Sequence, residues 1–390
     1  MARERRLQHM KERLWTKSFI VMTLALLFLF TAFYMLYPTL PLFITQMGGN
    51  QQQVGLAMGA LMLSSVIFRP IVGGLLDRFG RRPFMIGGLI VFIISMYMYN
   101  WVGGIIMLMG LRVLHGMSWA VSTTSMMTAV TDMIPSARRG EGMGWFSTSM
   151  TVAMAIGPMI GLFVMKGSSY QIMFLVAVGL SIVALLLTLF AQMPYKPLKG
   201  SRKIQIFEKS VLPVMVPIFF LFIAYGGMTT FVPLFANEIH VNSGTFFLVY
   251  AATLALIRPL AGKLSDRKGE TYVIIPSLVI TVIALIILSC ATDLLGVIVA
   301  AVLYGIGFGS AQPALQAIMI RLAPENRKGA ANAFFSTATD LGIGLGAILL
   351  GIVSEHLNYQ ALFLVSACSV VLSIVLFMLL VIRLLKIKTN

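Results

Sequence analysis

The sequence predicts an all-α integral membrane protein whose twelve transmembrane helices form two pseudo-symmetric six-helix bundles. Three observations support this prediction. Hydrophobic residues make up 58% of the 390 residues and charged residues only 11%, and the mean hydropathy is +0.93, which suits lipid better than water. Twelve apolar runs, each about 20 residues or longer, recur along the chain. A motif of the first half also recurs in the second half.

The predicted spans fall into two sets of six. The first set comprises 18–46, 53–76, 83–101, 104–131, 141–165 and 170–192, and the second comprises 211–236, 244–265, 271–291, 294–320, 329–353 and 359–382. Because backbone N–H and C=O groups in lipid must be satisfied within the protein, long apolar runs of this kind form helices. We therefore expect an N-terminal bundle at 1–192, a cytoplasmic linker at 193–210 and a C-terminal bundle at 211–390.

The net charge of +16 and the pI near 10.1 follow from membrane topology rather than from a nucleic-acid partner. With a cytoplasmic N-terminus, the 29 Lys and Arg residues all fall on the cytoplasmic side except Lys166 in an outer loop and Arg69, Arg112 and Arg258 within spans. This is the positive-inside bias. It predicts a multi-pass protein of the cell membrane with both termini in the cytoplasm. The two cysteines lack metal-ligand spacing, so no metal or cofactor is expected.

An internal repeat relates the two halves. RPIVGGLLDRFGRR begins at Arg69 and RPLAGKLSDRKGET begins at Arg258. We call the separation of these two arginines along the chain the repeat interval, and the same interval separates Pro135 from Pro324. An interval that holds through several loops indicates duplication. Internal repeats of this kind are typical of secondary transporters, whose substrate site lies between the repeats near the bilayer midplane.

The loop between the second and third predicted helices resembles the G-x-L-x-D-R-x-G-R-R/K signature of the major facilitator superfamily. The matching residues are Gly73, Leu75, Asp77, Arg78, Gly80, Arg81 and Arg82. The second copy matches at Gly262, Leu264, Asp266, Arg267 and Gly269, with Glu270 in place of the first terminal Arg. The resemblance implies the major facilitator fold.

Two shorter motifs resemble those of the twelve-helix drug/proton antiporters within that superfamily. They are Leu108-x-x-x-Arg112-x-x-His115-Gly116 on helix 4 and Ala153-x-x-x-Gly157-Pro158-x-x-Gly161 on helix 5. His115 stands where the family usually has Gln, and Ala153 stands at the first Gly position. The resemblance implies that Gly157, Pro158 and Gly161 form an antiporter element; ordinary helix packing by small residues is the alternative.

The resemblance further implies that the repeated loops act as gates. Asp77 would touch the start of helix 11, near 329–332, where the partial positive charge of a helix N-terminus favours a carboxylate by about 0.3–1 kcal/mol. Asp266 would face the start of helix 5 in the same way. The basic residues Arg78, Arg81, Arg82 and Arg267 belong to the same loops; for those of the first loop, setting the topology is the alternative role.

Three residues are candidates for proton coupling. Asp340 is the acidic residue well inside a span, and burial disfavours its charged form, so it could bind and release a proton; a structural pair with a basic or hydroxyl partner is the alternative. Arg112 is costly inside a membrane, and His115 and Trp119 share its helix face. For Arg112 the alternative is a hydrogen-bonding strut between helices.

The aromatic residues Tyr34, Trp119, Tyr225 and Tyr304 are candidates for lining the substrate cavity.

These features predict a secondary active transporter, a proton-coupled exporter of small amphipathic molecules or drugs that works by alternating access. The chain has no phosphate-binding loop of an ATP-driven pump, so its energy would come from a gradient. Its partners would be the substrate, protons and membrane lipid, and it would act as a monomer. A metabolite or siderophore exporter is the main alternative, since Arg112 would tolerate an anionic or zwitterionic ligand. A non-transporting receptor and a membrane enzyme are weaker alternatives, because no signalling domain and no intramembrane cluster of catalytic side chains stand out.

Overall fold

A computed structural model describes residues 14–135, 138–192, 211–324 and 328–384. The predicted linker at 193–210 lies outside the described residues. Within these ranges the chain forms helices and short connections, without strands. Twelve helices are long and apolar enough to cross a membrane, which confirms the predicted number of spans.

The first six helices precede the linker and the other six follow it. They are α1 (Lys17–Gln46), α2 (Gln51–Phe79), α3 (Arg81–Met98), α4 (Ile105–Met133), α5 (Arg139–Gly167), α6 (Tyr170–Phe190), α7 (Leu212–Glu238), α8 (Ser243–Lys268), α9 (Thr271–Cys290), α10 (Leu294–Leu322), α11 (Lys328–His356) and α12 (Tyr359–Leu376). A 3₁₀ turn, Tyr99–Trp101, follows α3, and a π-helical turn, Phe377–Ile382, continues α12.

The helix ends show why the chain turns where it does. We call the side of the bundle that carries the start of α1 and the end of α12 the termini side, and the other the opposite side. On the opposite side, polar side chains cap helices that begin there; at α2, Asn50 and Gln53 form a reciprocal capping box. On the termini side, Gly80 and Gly269 end α2 and α8 with φ of 88° and 90°, a conformation that favours glycine.

The helices of the two halves pack in equivalent ways. In the first half α1 packs on α5 and α6, and α2 packs on α4; in the second half α7 packs on α11 and α12, and α8 packs on α10. Two extensive contacts join the halves. We call them the first seam, between α2 and α11, and the second seam, between α5 and α8.

Small residues hold α5 against α1. A Cβ atom added to Gly161 would lie 2.6 Å from the carbonyl oxygen of Met35 and 3.0 Å from its Cα. Gly157 packs on Tyr34 in the same way, and Gly346, its equivalent in the second half, packs on the backbone of Ile223 in α7. Both halves therefore use glycine to bring their first and fifth helices into backbone contact.

We expect Gly161→Ala to lower the thermal midpoint of unfolding by several degrees. The new methyl group meets backbone atoms that cannot rotate away, and overpacking of this kind costs about 1–3 kcal/mol. Gly179→Ala is the matched control, since a Cβ at Gly179 meets nothing within 4 Å. Unfolding of the two purified variants in detergent measures the difference. Equal midpoints would contradict the tight α1–α5 contact.

Candidate functional site

An ion pair crosses the first seam at the middle of the bundle. The Nε and Nη2 atoms of Arg69 in α2 donate hydrogen bonds to Oδ2 of Asp340 in α11, at 3.0 and 2.7 Å. The hydroxyl of Ser65 donates to the same oxygen at 3.4 Å. Asp340 lies about 18 Å along α11 from its first residue, and both side chains of the pair are largely buried. The two halves are thus joined here by opposite charges.

The second seam carries the equivalent arginine without the carboxylate. Arg258 in α8 and Thr151 in α5 are related to Arg69 and Asp340 respectively by the repeat interval, and Arg258 donates a hydrogen bond to the Thr151 hydroxyl. Its Nη2 also donates to Oε1 of Gln312 in α10 at 2.6 Å. The repeated arginine therefore reaches across both seams, but it meets a charged partner at one and neutral partners at the other.

Both seams are also joined on the opposite side of the bundle. At the first seam the backbone N–H of Gln51 donates to Oε2 of Glu355 at 2.8 Å, and Gly351 packs on the backbone of α2. At the second seam Nζ of Lys166 donates to Oδ1 of Asn242 at 2.6 Å. These contacts hold the two halves together on the side away from the termini.

The repeated loops retain an ion pair of reversed polarity. In the first half Nε of Arg81 lies 2.9 Å from Oδ2 of Asp132 in α4. In the second half Oε2 of Glu270 lies 3.1 Å from Nη1 of Arg321 in α10. The repeat interval relates Arg81 to Glu270 and Asp132 to Arg321. The sequence showed that Glu270 replaces the first terminal Arg of the motif, and the structure shows that its partner in α10 changed sign as well.

The predicted gate residues are only partly described. The side chains of Asp77 and Asp266 lie outside the described residues, so their contacts with α11 and α5 stay predictions. Arg78 is exposed, with its guanidinium carbon 5.1 Å from the ring centre of Phe79. Arg82 and Arg267 are also exposed.

Arg112 is a strut inside the first half. Its Nε donates to the carbonyl oxygen of Ala57 at 2.8 Å, and its Nη1 donates to the hydroxyl of Tyr99 at 3.3 Å. The Tyr99 hydroxyl also bonds Nδ1 of His115 at 2.9 Å. Arg112 is 2% exposed and His115 is fully buried. This is the hydrogen-bonded arrangement that the sequence left as the alternative for Arg112, and it leaves little of the guanidinium for a ligand.

Of the four aromatic cavity candidates, three are buried and one is half-buried. The ring of Trp119 stacks on Phe33 with centroids 3.7 Å apart, and Tyr225 stacks on Phe308 at 4.6 Å. Tyr304 is 1% exposed. Tyr34 is half-buried, and its Cβ packs on Gly157 of α5.

Sequence reasoning missed the contacts that Arg69 and Arg258 make across the seams. Both were recognised as arginines within spans, but only Arg112 was considered as a functional residue. A signal was present, because an arginine in a span is costly and these two occupy equivalent positions of the repeat. Tyr250, whose ring centre lies 5.9 Å from that of Tyr304, carried no distinguishing signal. Within the described ranges, no cluster of three or more His, Cys, Asp or Glu side chains could hold a metal ion.

Known proteins share this sequence pattern and this architecture. The sequence model of the Major Facilitator Superfamily matches residues 22–252 and 242–388. The staphylopine export protein of Staphylococcus aureus is 24% identical over 389 residues, which cover 92% of this chain and 94% of that protein. The multi-drug resistance efflux pump PmrA of Streptococcus pneumoniae is 24% identical over 355 residues, 86% of this chain and 89% of that protein.

The fold is also found among solved structures. A bacterial homologue of the human lysosomal transporter Spinster, in an inward-facing and occupied conformation, superposes with a TM-score of 0.77 at 16% identity, covering 94% of this chain and 97% of that one. The family match extends over nearly the whole chain, and the twelve-helix architecture agrees with it. The chain therefore belongs to the Major Facilitator Superfamily and is a transporter rather than an enzyme.

Proposed function

We propose that this transporter is a proton-coupled exporter of small amphipathic molecules or drugs that works by alternating access in the cell membrane, with both termini in the cytoplasm. One observation carries the proposal: Asp340 forms an ion pair with Arg69 across the first seam. A carboxylate whose counterion belongs to the other half responds directly to movement between the halves. This is the requirement for coupling protonation to a change of access.

The ion pair supplies the coupling step. While α2 and α11 are in contact, Arg69 stabilises the ionised carboxylate of Asp340. When the halves separate on the opposite side, Arg69 withdraws and a buried carboxylate is left without its counterion. The protein relieves this by taking up a proton, because an unpaired buried charge is expensive.

The predicted topology gives the step its direction. Asp340 would take its proton from outside, in the state that is open there, and release it to the cytoplasm when Arg69 returns. Each proton moving inward through 100 mV supplies about 2.3 kcal/mol, which drives the substrate outward. In this scheme the cytoplasmic gate of the first loop consists of Asp77, Arg78, Arg81 and Arg82. The gate of the second loop consists of Asp266 and Arg267. Gly157, Pro158 and Gly161 let α5 move as one body with α1.

The relatives support export. PmrA is named as a multi-drug efflux pump and the Staphylococcus aureus relative as an export protein for staphylopine. The second of these names favours a metabolite or siderophore exporter as the alternative within the same mechanism. Both alternatives share the proton step and differ in the substrate.

Substrate-dependent proton movement tests the proposal. Inside-out vesicles that contain the protein are given an acidic interior, and a pH-sensitive dye reports proton efflux when cationic, neutral and anionic compounds are added in turn. At least one class should collapse the gradient and accumulate in the vesicles. A panel in which accumulation proceeds equally well after the gradient is removed would refute antiport.

A further inference from the structure

Arg258 is a partly buried arginine whose partners among the described residues are neutral. At the first seam Arg69 meets Asp340, but Thr151 occupies the equivalent place at the second. The other partner of Arg258 is the neutral amide of Gln312. Among the residues that the structure describes, no carboxylate forms an ion pair with Arg258. A positive charge therefore remains between α5, α8 and α10, where desolvation makes it costly.

In the described part of the chain, three buried hydrogen-bond donors on α8 and α10 lack an acceptor. Nε of Arg258 and the hydroxyls of Tyr250 and Tyr304 are buried and without a hydrogen-bond partner in the described part of the chain. Tyr250 and Tyr304 are 2% and 1% exposed. Tyr250 precedes Arg258 by eight residues on α8, and Tyr304 precedes Gln312 by eight residues on α10, a rise of about 12 Å along each helix. The ring centres of the two tyrosines lie 5.9 Å apart. Buried tyrosine hydroxyls normally have partners, so this group is suited to an acceptor that the described residues do not supply.

The neighbouring side chains favour an aromatic or apolar body on the ligand. The ring of Tyr225 stacks on that of Phe308 with centroids 4.6 Å apart, and the ring of Tyr304 stacks on Phe308 at 5.7 Å. Together with Tyr250, whose ring lies beside that of Tyr304, these rings come from α7, α8 and α10. A charged group bound at Arg258 would place the rest of its molecule among them.

We propose that Arg258 binds the anionic group of the transported substrate, that the hydroxyls of Tyr250 and Tyr304 donate hydrogen bonds to the same molecule, and that the substrate class is organic anions or zwitterions with an aromatic or apolar body. The inference rests on the proposed transport function and specifies its substrate. Arg69 is already neutralised by Asp340, and the donors of Arg112 are bonded to Ala57 and Tyr99. The charge of Arg258 is thus the one best placed to select an anion.

Binding of three matched probes to the purified full-length protein tests this site. The probes are 2-naphthoate, its neutral amide 2-naphthamide and the cation 2-naphthylmethylamine, and the readout is the thermal midpoint in a neutral detergent as a function of probe concentration. We expect saturable stabilisation by 2-naphthoate in preference to the other two. Arg258→Gln should weaken the apparent affinity about tenfold or more, as loss of a charge-assisted hydrogen bond does.

Matched variants separate the site from general charge effects and from misfolding. Lys263→Gln removes a positive charge from an exposed position of the same helix and should bind 2-naphthoate as the wild type does. Arg258→Lys keeps the charge and should retain part of the affinity, and Tyr250→Phe should weaken it without changing charge. A monodisperse elution profile and the midpoint without probe establish that each variant is folded.

Two outcomes would overturn the anion site. One is a wild type that 2-naphthoate stabilises no better than its neutral and cationic analogues; the other is an Arg258→Gln protein of unchanged affinity. Because the binding assay uses no gradient, its result is independent of proton coupling. Selective anion binding in a protein that moves no protons would refute antiport but support the anion site. Proton movement driven by cations, without anion binding, would support antiport but refute the anion site.

Discussion

Asp340→Asn is expected to abolish gradient-driven accumulation of substrate while leaving substrate exchange intact. Asparagine keeps the shape of the side chain and accepts a hydrogen bond from Arg69, but it cannot carry a proton through the cycle. The measurement compares two activities in reconstituted vesicles: uptake driven by an imposed pH gradient, and exchange of labelled for unlabelled substrate without a gradient. Uptake should fall to the level of empty vesicles, and exchange should continue.

Asp293→Asn is the control for this substitution. Asp293 caps α10 by accepting a hydrogen bond from the backbone N–H of Gly296 at 2.9 Å, and asparagine caps a helix about as well as aspartate. The control should therefore transport as the wild type does. Gradient-driven uptake that survives in Asp340→Asn would remove this residue from the coupling mechanism.

Arg69→Gln is expected to destabilise the protein strongly, and adding Asp340→Asn is expected to restore most of the loss. The single substitution leaves the buried carboxylate of Asp340 without a counterion, which costs about 3–5 kcal/mol of folding stability. We expect a loss at the lower end of this range, since Asp340 can take up a proton. The double variant carries no charge at the seam and can form an amide hydrogen bond. Thermal unfolding of the four proteins in one detergent gives the coupling between the two positions.

Arg258→Gln provides a comparison at the equivalent position of the second seam. Because Thr151 and Gln312 are neutral, removal of this arginine leaves no buried charge without a counterion. The loss of stability should therefore be smaller than for Arg69→Gln. If the two single variants lose equal stability, or if the double variant at the first seam is no more stable than Arg69→Gln, then the ion pair does not dominate the energetics of the seam.

Much of the architecture follows from the sequence, because lipid imposes simple rules on it. A segment that crosses a membrane must be long, apolar and helical, so the twelve spans could be identified from the apolar runs. The helix ends in the structure differ from the predicted ends by a few residues. The constant repeat interval predicted equivalent halves, and Gly80 and Gly269, which end α2 and α8 with the same backbone conformation, display that equivalence.

Part of the site could also be predicted. Asp340 stood out because an acidic residue in the middle of a span is costly, and both a basic and a hydroxyl partner were foreseen as possibilities. Arg112 stood out for the same reason. The cost of placing an arginine in a span is the same whether it forms a strut between helices or contacts a ligand, so this cost does not distinguish the two roles. The distinction depends on the carbonyl oxygen of Ala57 and the hydroxyl of Tyr99, which are distant in sequence from any motif and close in space.

The sequence by itself thus determined the class of protein, the number of helices, the duplication and the residues whose burial is expensive. Only the tertiary structure decided which of those residues meet. It paired Arg69 with Asp340 at one seam, set Arg258 against neutral partners at the other, and matched Glu270 with Arg321. The physical reason is that the cost of burying a charge is a property of one residue, whereas its compensation depends on atoms of another helix, often in the other half of the chain.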